Sequence, residues 1–104
     1  MSIKVVIKFD SADTVRIIAY IYDDDGALVD PTAITCTVID PDGTTQADAQ
    51  AMSGGDTGVY TYYYHRGTGE DAMAKGKWRG KVVTADGTGE DTVYSTGYFS
   101  FTVE

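Results

Sequence analysis

The residues of this chain best suited to chemistry are its carboxylates. Asp23, Asp24 and Asp25 run consecutively, Asp30 follows five residues on, and Asp40 and Asp42 form a second group. Gathered at one end of a fold, such acids could hold calcium, which takes about six to eight oxygens from a convergent loop. Neither group has the spaced Asp pattern with a distal Glu that such loops use. DDDG and DPDG are ordinary turn sequences, because Asp hydrogen-bonds its own backbone there. The expectation is solvated turn acids, with no metal and no other cofactor. Nucleophilic chemistry is no better supplied. The single cysteine, Cys36, lies in ITCTV, a strand pattern, and reads as a small buried apolar group. A reactive thiol needs a positioned base, and the one histidine, His65, stands at a strand end. With one cysteine no intramolecular disulfide can form. There is no G-x-S-x-G motif and no glycine-rich phosphate loop opening a helix. Zinc would need more His or Cys. Paired carboxylates sit in exposed tips, without an apolar pocket to raise a pKa. The chain reads as no enzyme, with no catalytic residues.

The elements that position these groups are strands. Turn signals recur at short intervals: FDSAD, YDDDG, DPDG, SGGDTG, RGTGED and ADGTGED. Between them β-rich runs predict strands near 3–9, 14–22, 33–39, 45–52, 58–65, 77–85 and 92–103. That spacing is typical of an all-β sandwich. EDAMAKG, residues 70–76, could form a single helical turn, too short to matter. Alternation then assigns faces. Ile3, Val5, Ile7 and Phe9 point inward, as do Ile34, Cys36 and Val38, then Trp78, Gly80, Val82 and Thr84, and finally Phe99, Phe101 and Val103. Lys4, Val6 and Lys8 point outward, as do Lys77, Arg79, Lys81 and Val83. Strands with one wet side belong to antiparallel sheets. Trp78 and Tyr60 are the large fillers of the core.

At 104 residues the chain is one domain, 1–104. Its 42% hydrophobic and 23% charged residues are ordinary for a globular protein, so disorder is not expected. No apolar run approaches the roughly 18 residues of a membrane span. The start, MSIKVVIKFD, lacks a secretory pattern because Lys4 and Lys8 interrupt it, which predicts synthesis and retention in the cytosol. The net charge is −8, which repels a phosphate backbone, and no basic groove is apparent; nucleic acid is not an expected partner.

The stretch Asp56-Thr57-Gly58-Val59-Tyr60 looks like the D-x-G-x-Y corner of an immunoglobulin variable domain. There only one strand follows the corner, and a cysteine stands two residues after the Tyr. Here Tyr62 holds that place and two more strands follow, KWRGKVVTA and VYSTGYFSFTV. The order DDDGALVDPTAITCTVIDPDG, DTGVYTYYY, GKWRGKVVTADG, YFSFTVE resembles instead the bacterial and viral immunoglobulin-like modules, among them macroglobulin-type and invasin-type domains. The resemblance covers about residues 13–104. Its motifs are turn and core residues, so it implies a fold and not an activity. The corner has a physical basis: Gly58 admits a sharp bend, Asp56 can cap the turn, and Tyr60 buries its ring while its hydroxyl reaches nearby backbone. The expected fold is an immunoglobulin-like two-sheet antiparallel β-sandwich of about seven strands.

One strand departs from the pattern. In DTVRIIAYIYDDD both faces are apolar, with Val15, Ile17, Ala19 and Ile21 on one side and Ile18, Tyr20 and Tyr22 with Arg16 on the other. If the first, second and fifth predicted strands are neighbours, Val6, Ile18, Tyr20, Tyr22 and Tyr63 form an aromatic outer patch. Such patches mark interfaces, where Tyr is favoured. Against this stand two plainer accounts: a roof formed by the connection 66–76, and the simple strand preference of Tyr. The first and last strands offer edges for pairing with another subunit, which Lys on the first would discourage in a free monomer. Such a sandwich leaves no cleft for reaction chemistry and only surfaces for contact. The resemblance implies an accessory virion protein (capsid decoration, head fibre, neck or tail component), assembled in the host cytoplasm. Its expected partner is a protein in that larger assembly, present as a homo-oligomer or in repeated copies, with no membrane role. The rival reading is a cell-surface or extracellular adhesion module that binds a receptor or carbohydrate through its loops; a third is a small calcium-stabilised module.

Overall fold

Alternation of apolar and polar residues dictates paired strands with one buried side, and the computed structural model has that form. It describes residues 1–11, 14–65, 75–87 and 89–103, with the backbone alone for residues 10 and 11. The strands are β1 (Ser2–Ser11), β2 (Thr14–Tyr22), β3 (Ala33–Ile39), β4 (Thr45–Ala51), β5 (Ser53–Gly54), β6 (Val59–His65), β7 (Gly76–Asp86) and β8 (Val93–Val103), with a short 3-10 turn at Gly89–Asp91. They form two antiparallel sheets, β1-β2-β6-β5 and β4-β3-β7-β8. This is the strand order of an immunoglobulin-like sandwich, in which the first, second and fifth main strands share one sheet.

Each predicted strand is present within two residues of its expected bounds, but the run 45–52 divides. β4 ends at Ala51, and β5 then pairs with β6 in the other sheet, Ser53 opposite Thr61 and Gly54 opposite Tyr60. Between them Met52 is buried and its N–H donates to the Ile34 carbonyl at 3.3 Å, so an apolar side chain anchors the crossing. The helical turn expected at 70–76 falls outside the described residues except for Lys75 and Gly76, and Gly76 opens β7. The expected roof over 66–76 falls outside them likewise.

The core lies between the sheets. Val15, Ile17, Ala19 and Ile21 are fully buried on β2, facing Cys36, Val38, Trp78 and Val82 from the opposite sheet. The Trp78 ring lies 5.6 Å from Tyr64 and 5.9 Å from Phe101, centroid to centroid, and so ties the two layers together. Gly80 stands on the inward side of β7, where the Phe99 ring packs against its backbone. An added Cβ would land on the Phe99 ring and the Thr37 carbonyl oxygen, so nothing larger than hydrogen fits. Phe9 departs from expectation. It has inward parity but is 53% exposed, near the end of β1 where pairing with β2 shifts register, and its ring meets Phe101 in a T-shaped contact at 5.8 Å. Tyr60 is half-buried rather than fully enclosed.

The sheet edges are β1 and β5 on one side and β4 and β8 on the other. β4 carries two register shifts against β3, and Ala49 there has φ 46°, with its N–H donating to Thr37 Oγ1 at 3.1 Å. Bulges of this kind blunt an edge against further pairing.

The DTGVY corner is built differently from expectation. Gly58 has φ +74°, and a Cβ there would come within 2.8 Å of the Val29 nitrogen and 2.9 Å of Leu28 Cβ. Its carbonyl accepts from the Ile21 N–H at 2.8 Å, which joins the corner to β2. The capping carboxylate is Asp30, not Asp56. Asp30 Oδ1 accepts from the Gly58 N–H at 2.7 Å and from the Tyr60 hydroxyl at 3.1 Å. Asp56 contributes its backbone carbonyl, to Val59 at 3.0 Å. Burial and the Asp30 hydrogen bond both push the Tyr60 hydroxyl pKa above its ordinary value. Replacing Asp30 by Ala strands both donors and should cost about 1–3 kcal/mol, lowering the melting temperature by roughly 5–15 °C. Tyr60→Phe, which removes one donor and keeps the ring, should cost less; an Asp30→Ala protein melting with the wild type contradicts this role.

Candidate binding surface

The five residues predicted to form an outer patch do lie on one sheet face. β1, β2 and β6 are adjacent, and pairing sets Val6 opposite Ile18, Ile18 opposite Thr61, and Tyr20 between Lys4 and Val59. Tyr22 stands opposite Ser2, and Tyr63 opposite Arg16. The strip is less open than the sequence implies. Ile18 is only 8% exposed, and Val6, Tyr20 and Tyr22 are half-buried. Tyr63 alone of the five is largely exposed, at 48%. The Arg16 guanidinium lies 5.8 Å from its ring centroid, a cation–π distance. The His65 ring stacks near-parallel to the Tyr63 ring, with centroids 6.4 Å apart.

The more exposed aromatics lie on the opposite side of the molecule. On the outer face of β8, Tyr94 and Tyr98 are 70% and 80% exposed. Phe99, Phe101 and Val103 have inward parity. The same alternation, legible in the sequence, turns Tyr98 and Tyr94 outward. Tyr98 stands opposite Lys81, and Ser100 opposite Arg79. With Ile39, Pro41 and Lys77 these residues line an open depression of about 880 Å³. The Lys77–Arg79–Lys81 row borders it on one side and Ile39, Asp40 and Pro41 of the β3–β4 turn on the other.

The acidic turns use their oxygens for folding. Asp23 Oδ1 accepts from the N–H groups of Asp25 (2.9 Å) and Ala27 (3.0 Å). Asp40 does the same with Asp42 (3.0 Å) and Thr44 (2.8 Å), while its Oδ2 accepts from the Gln46 amide at 2.8 Å. The Gln46 amide above all, then the Thr44 N–H, holds the Asp40 carboxyl below its usual range. Among the described residues no three of His, Cys, Asp and Glu gather as a metal cluster would. Cys36 and His65 do not meet. Cys36 points into the core from β3, while His65 is exposed at the end of β6, with Nδ1 3.1 Å from Thr14 Oγ1. Among the described residues no helix is long and apolar enough to cross a membrane.

The fold class is thus an all-β sandwich of two antiparallel four-stranded sheets. Comparison with protein-family models, with characterised proteins and with solved structures finds no match to the chain.

Burial pushes the Cys36 thiol pKa up to about 12. In the native protein at pH 8, Cys36 should resist a thiol-specific reagent, and should react on the time scale of a model thiol once denaturant is added. Fast labelling of the folded protein contradicts the core position.

Proposed function

We propose that the chain is a non-enzymatic structural or binding module that docks on a protein partner in a larger assembly. The observation that supports this best is the row of apolar and aromatic residues on the outer face of β1, β2 and β6, where a free sandwich would carry polar ones. Tyr20, Tyr22 and Tyr63 are residues that interfaces favour, since each offers a large ring and a polar tip at low entropic cost. The finer reading is an accessory virion protein, a capsid-decoration, head-fibre, neck or tail component, assembled in the host cytoplasm and present in repeated copies. It is supported by the resemblance of the DDDG, DPDG, DTGVY, GKWRG and YFSFTV segments to bacterial and viral immunoglobulin-like modules. A loop-based adhesion role would be favoured by aromatics at loop tips. The largely exposed aromatics described, Phe9, Tyr63, Tyr94 and Tyr98, all lie in strands.

The test is the double substitution Tyr20→Ser with Tyr22→Ser. Both side chains are half-buried on a solvent face, so the domain should still fold, as its far-ultraviolet circular dichroism will report. Co-sedimentation with the assembly of its source should weaken by at least about tenfold, equivalent to about 1.4 kcal/mol. Unchanged binding by a folded double variant removes this face from the interface.

A further inference from the structure

The molecule segregates its charge. Loops 23–32 and 55–58, Gly87 and the turn 89–92 meet at one end of the sandwich. Thr32 Oγ1 donates to Asp86 at 3.2 Å and accepts from the Gly87 N–H at 3.1 Å, and the Asp30–Gly58 bond adds the third loop. This end carries Asp23, Asp24, Asp25, Asp30, Asp56, Asp86, Glu90 and Asp91, and its loops contain no Lys or Arg. The Met1 amine lies 3.0 Å from Asp24. Asp24 is 95% exposed, and Asp25, Glu90 and Asp91 are exposed as well.

The opposite charge is gathered elsewhere. Lys77, Arg79 and Lys81 follow one another on the outward side of β7, a row of about 13 Å at ~3.3 Å per residue. All are exposed, and among the described residues none makes an ion pair. They line the 880 Å³ depression, with exposed Tyr98 beside Lys81. Asp40 is the carboxylate on that rim, and its oxygens already accept from Asp42, Thr44 and Gln46. Bases held in line with no internal partner, next to an exposed ring, form a surface for an anion. In a concentrated solution of this protein the complementary surface is the acidic end of another copy, where Asp25, Glu90 and Asp91 are exposed and Asp24, though it meets the Met1 amine, is 95% exposed.

We propose that the Lys77–Arg79–Lys81 face of one molecule docks the acidic end, Asp24 and Asp25 with the Glu90–Asp91 turn, of a second. The contact joins different surfaces, so it is heterologous and propagates head to tail, closing a ring or extending a chain. The elongated shape, 44 × 26 × 21 Å, gives each molecule two separated contact regions. This contact goes beyond the docking face on β1, β2 and β6. It rests on the proposed assembly role only for its biological use and is testable on the purified chain alone.

Sedimentation velocity of the purified protein should show concentration-dependent association at low salt. Because exposed charges are screened over about 10 Å at 0.1 M salt, the apparent Kd should rise by at least about tenfold between roughly 20 mM and 300 mM NaCl. Lys77→Glu with Arg79→Glu should abolish association, as should Asp24→Lys with Asp25→Lys. All four side chains are exposed, and Asp23, whose oxygen builds the turn, is left intact. Mixed in equal amounts, the two variants should associate again, since each then meets an oppositely charged partner. Tyr20→Ser with Tyr22→Ser should leave this association unchanged, which separates failure here from failure of the docking face proposed above. A wild-type monomer at low salt and high concentration overturns the proposal. So do association insensitive to both reversals, reversed variants that stay monomeric when mixed, and association lost only in the tyrosine variant. Sulfate or phosphate that binds at the β7 face of a protein monomeric throughout overturns it too, in favour of a small anion.

Discussion

The contact on which the rest depends is Trp78 lodged between Tyr64 of one sheet and Phe101 of the other. It is the largest fully buried side chain, and it fixes which side of β7 faces the core. Strand residues alternate strictly, so a one-residue slip would move every side chain to the other face. With Trp78, Val82 and Thr84 inside, Lys77, Arg79 and Lys81 must stand outside. With Phe101 and Phe99 inside, Tyr98 and Tyr94 must stand outside. The surface chemistry of this half of the molecule is therefore a consequence of its core. On β2 the same rule acts from Val15, Ile17, Ala19 and Ile21, all fully buried, and sets Ile18, Tyr20 and Tyr22 on the other side.

Turn chemistry explains where the negative charge goes. An Asp at the head of a tight turn accepts backbone N–H groups two and four residues on, and Asp23 and Asp40 both do so. Asp30 reaches across to another loop and holds the Gly58 corner. Acids serve these turns, while Lys4, Lys8, Arg16, Lys77, Arg79 and Lys81 sit in the strands. The outcome is an acidic end and sheet faces that carry six of the eight Lys and Arg, in a chain whose net charge alone, −8, would describe it as uniformly acidic.

What could be read in advance was whatever depends on near neighbours in the chain. Periodicity in KVVIKF, RIIAYIY and KWRGKVV located the strands and their inward sides, and ITCTV placed Cys36 in the core. Long-range choices were not legible. Nothing local marks Asp30 rather than Asp56 as the acceptor for Gly58, because the two partners are separated by a whole hairpin and meet only after the sheets pack. Nor does AQAMSGG announce that the chain changes sheet at Met52; the run looks like one strand because both halves are extended. Phe9 has the parity of a core residue and lacks the cover of one, since parity says nothing about where a sheet ends. The outer patch was half legible. Its members share a face as alternation requires, yet their burial depends on the surroundings of Ile18, which no pattern in β2 itself specifies.

The recognition proposed here is between the basic Lys77–Arg79–Lys81 face of one molecule and the acidic end of another. The most direct measurement is a set of amide and side-chain NMR spectra of the labelled protein across a concentration series at low salt. The account predicts that resonances of Lys77, Arg79, Lys81 and Tyr98 move together with those of Asp24, Asp25, Glu90 and Asp91, along one binding curve, while Cys36 and Trp78 stay fixed. Shifts confined to one of these two regions, or shared instead by residues throughout the core, would contradict it.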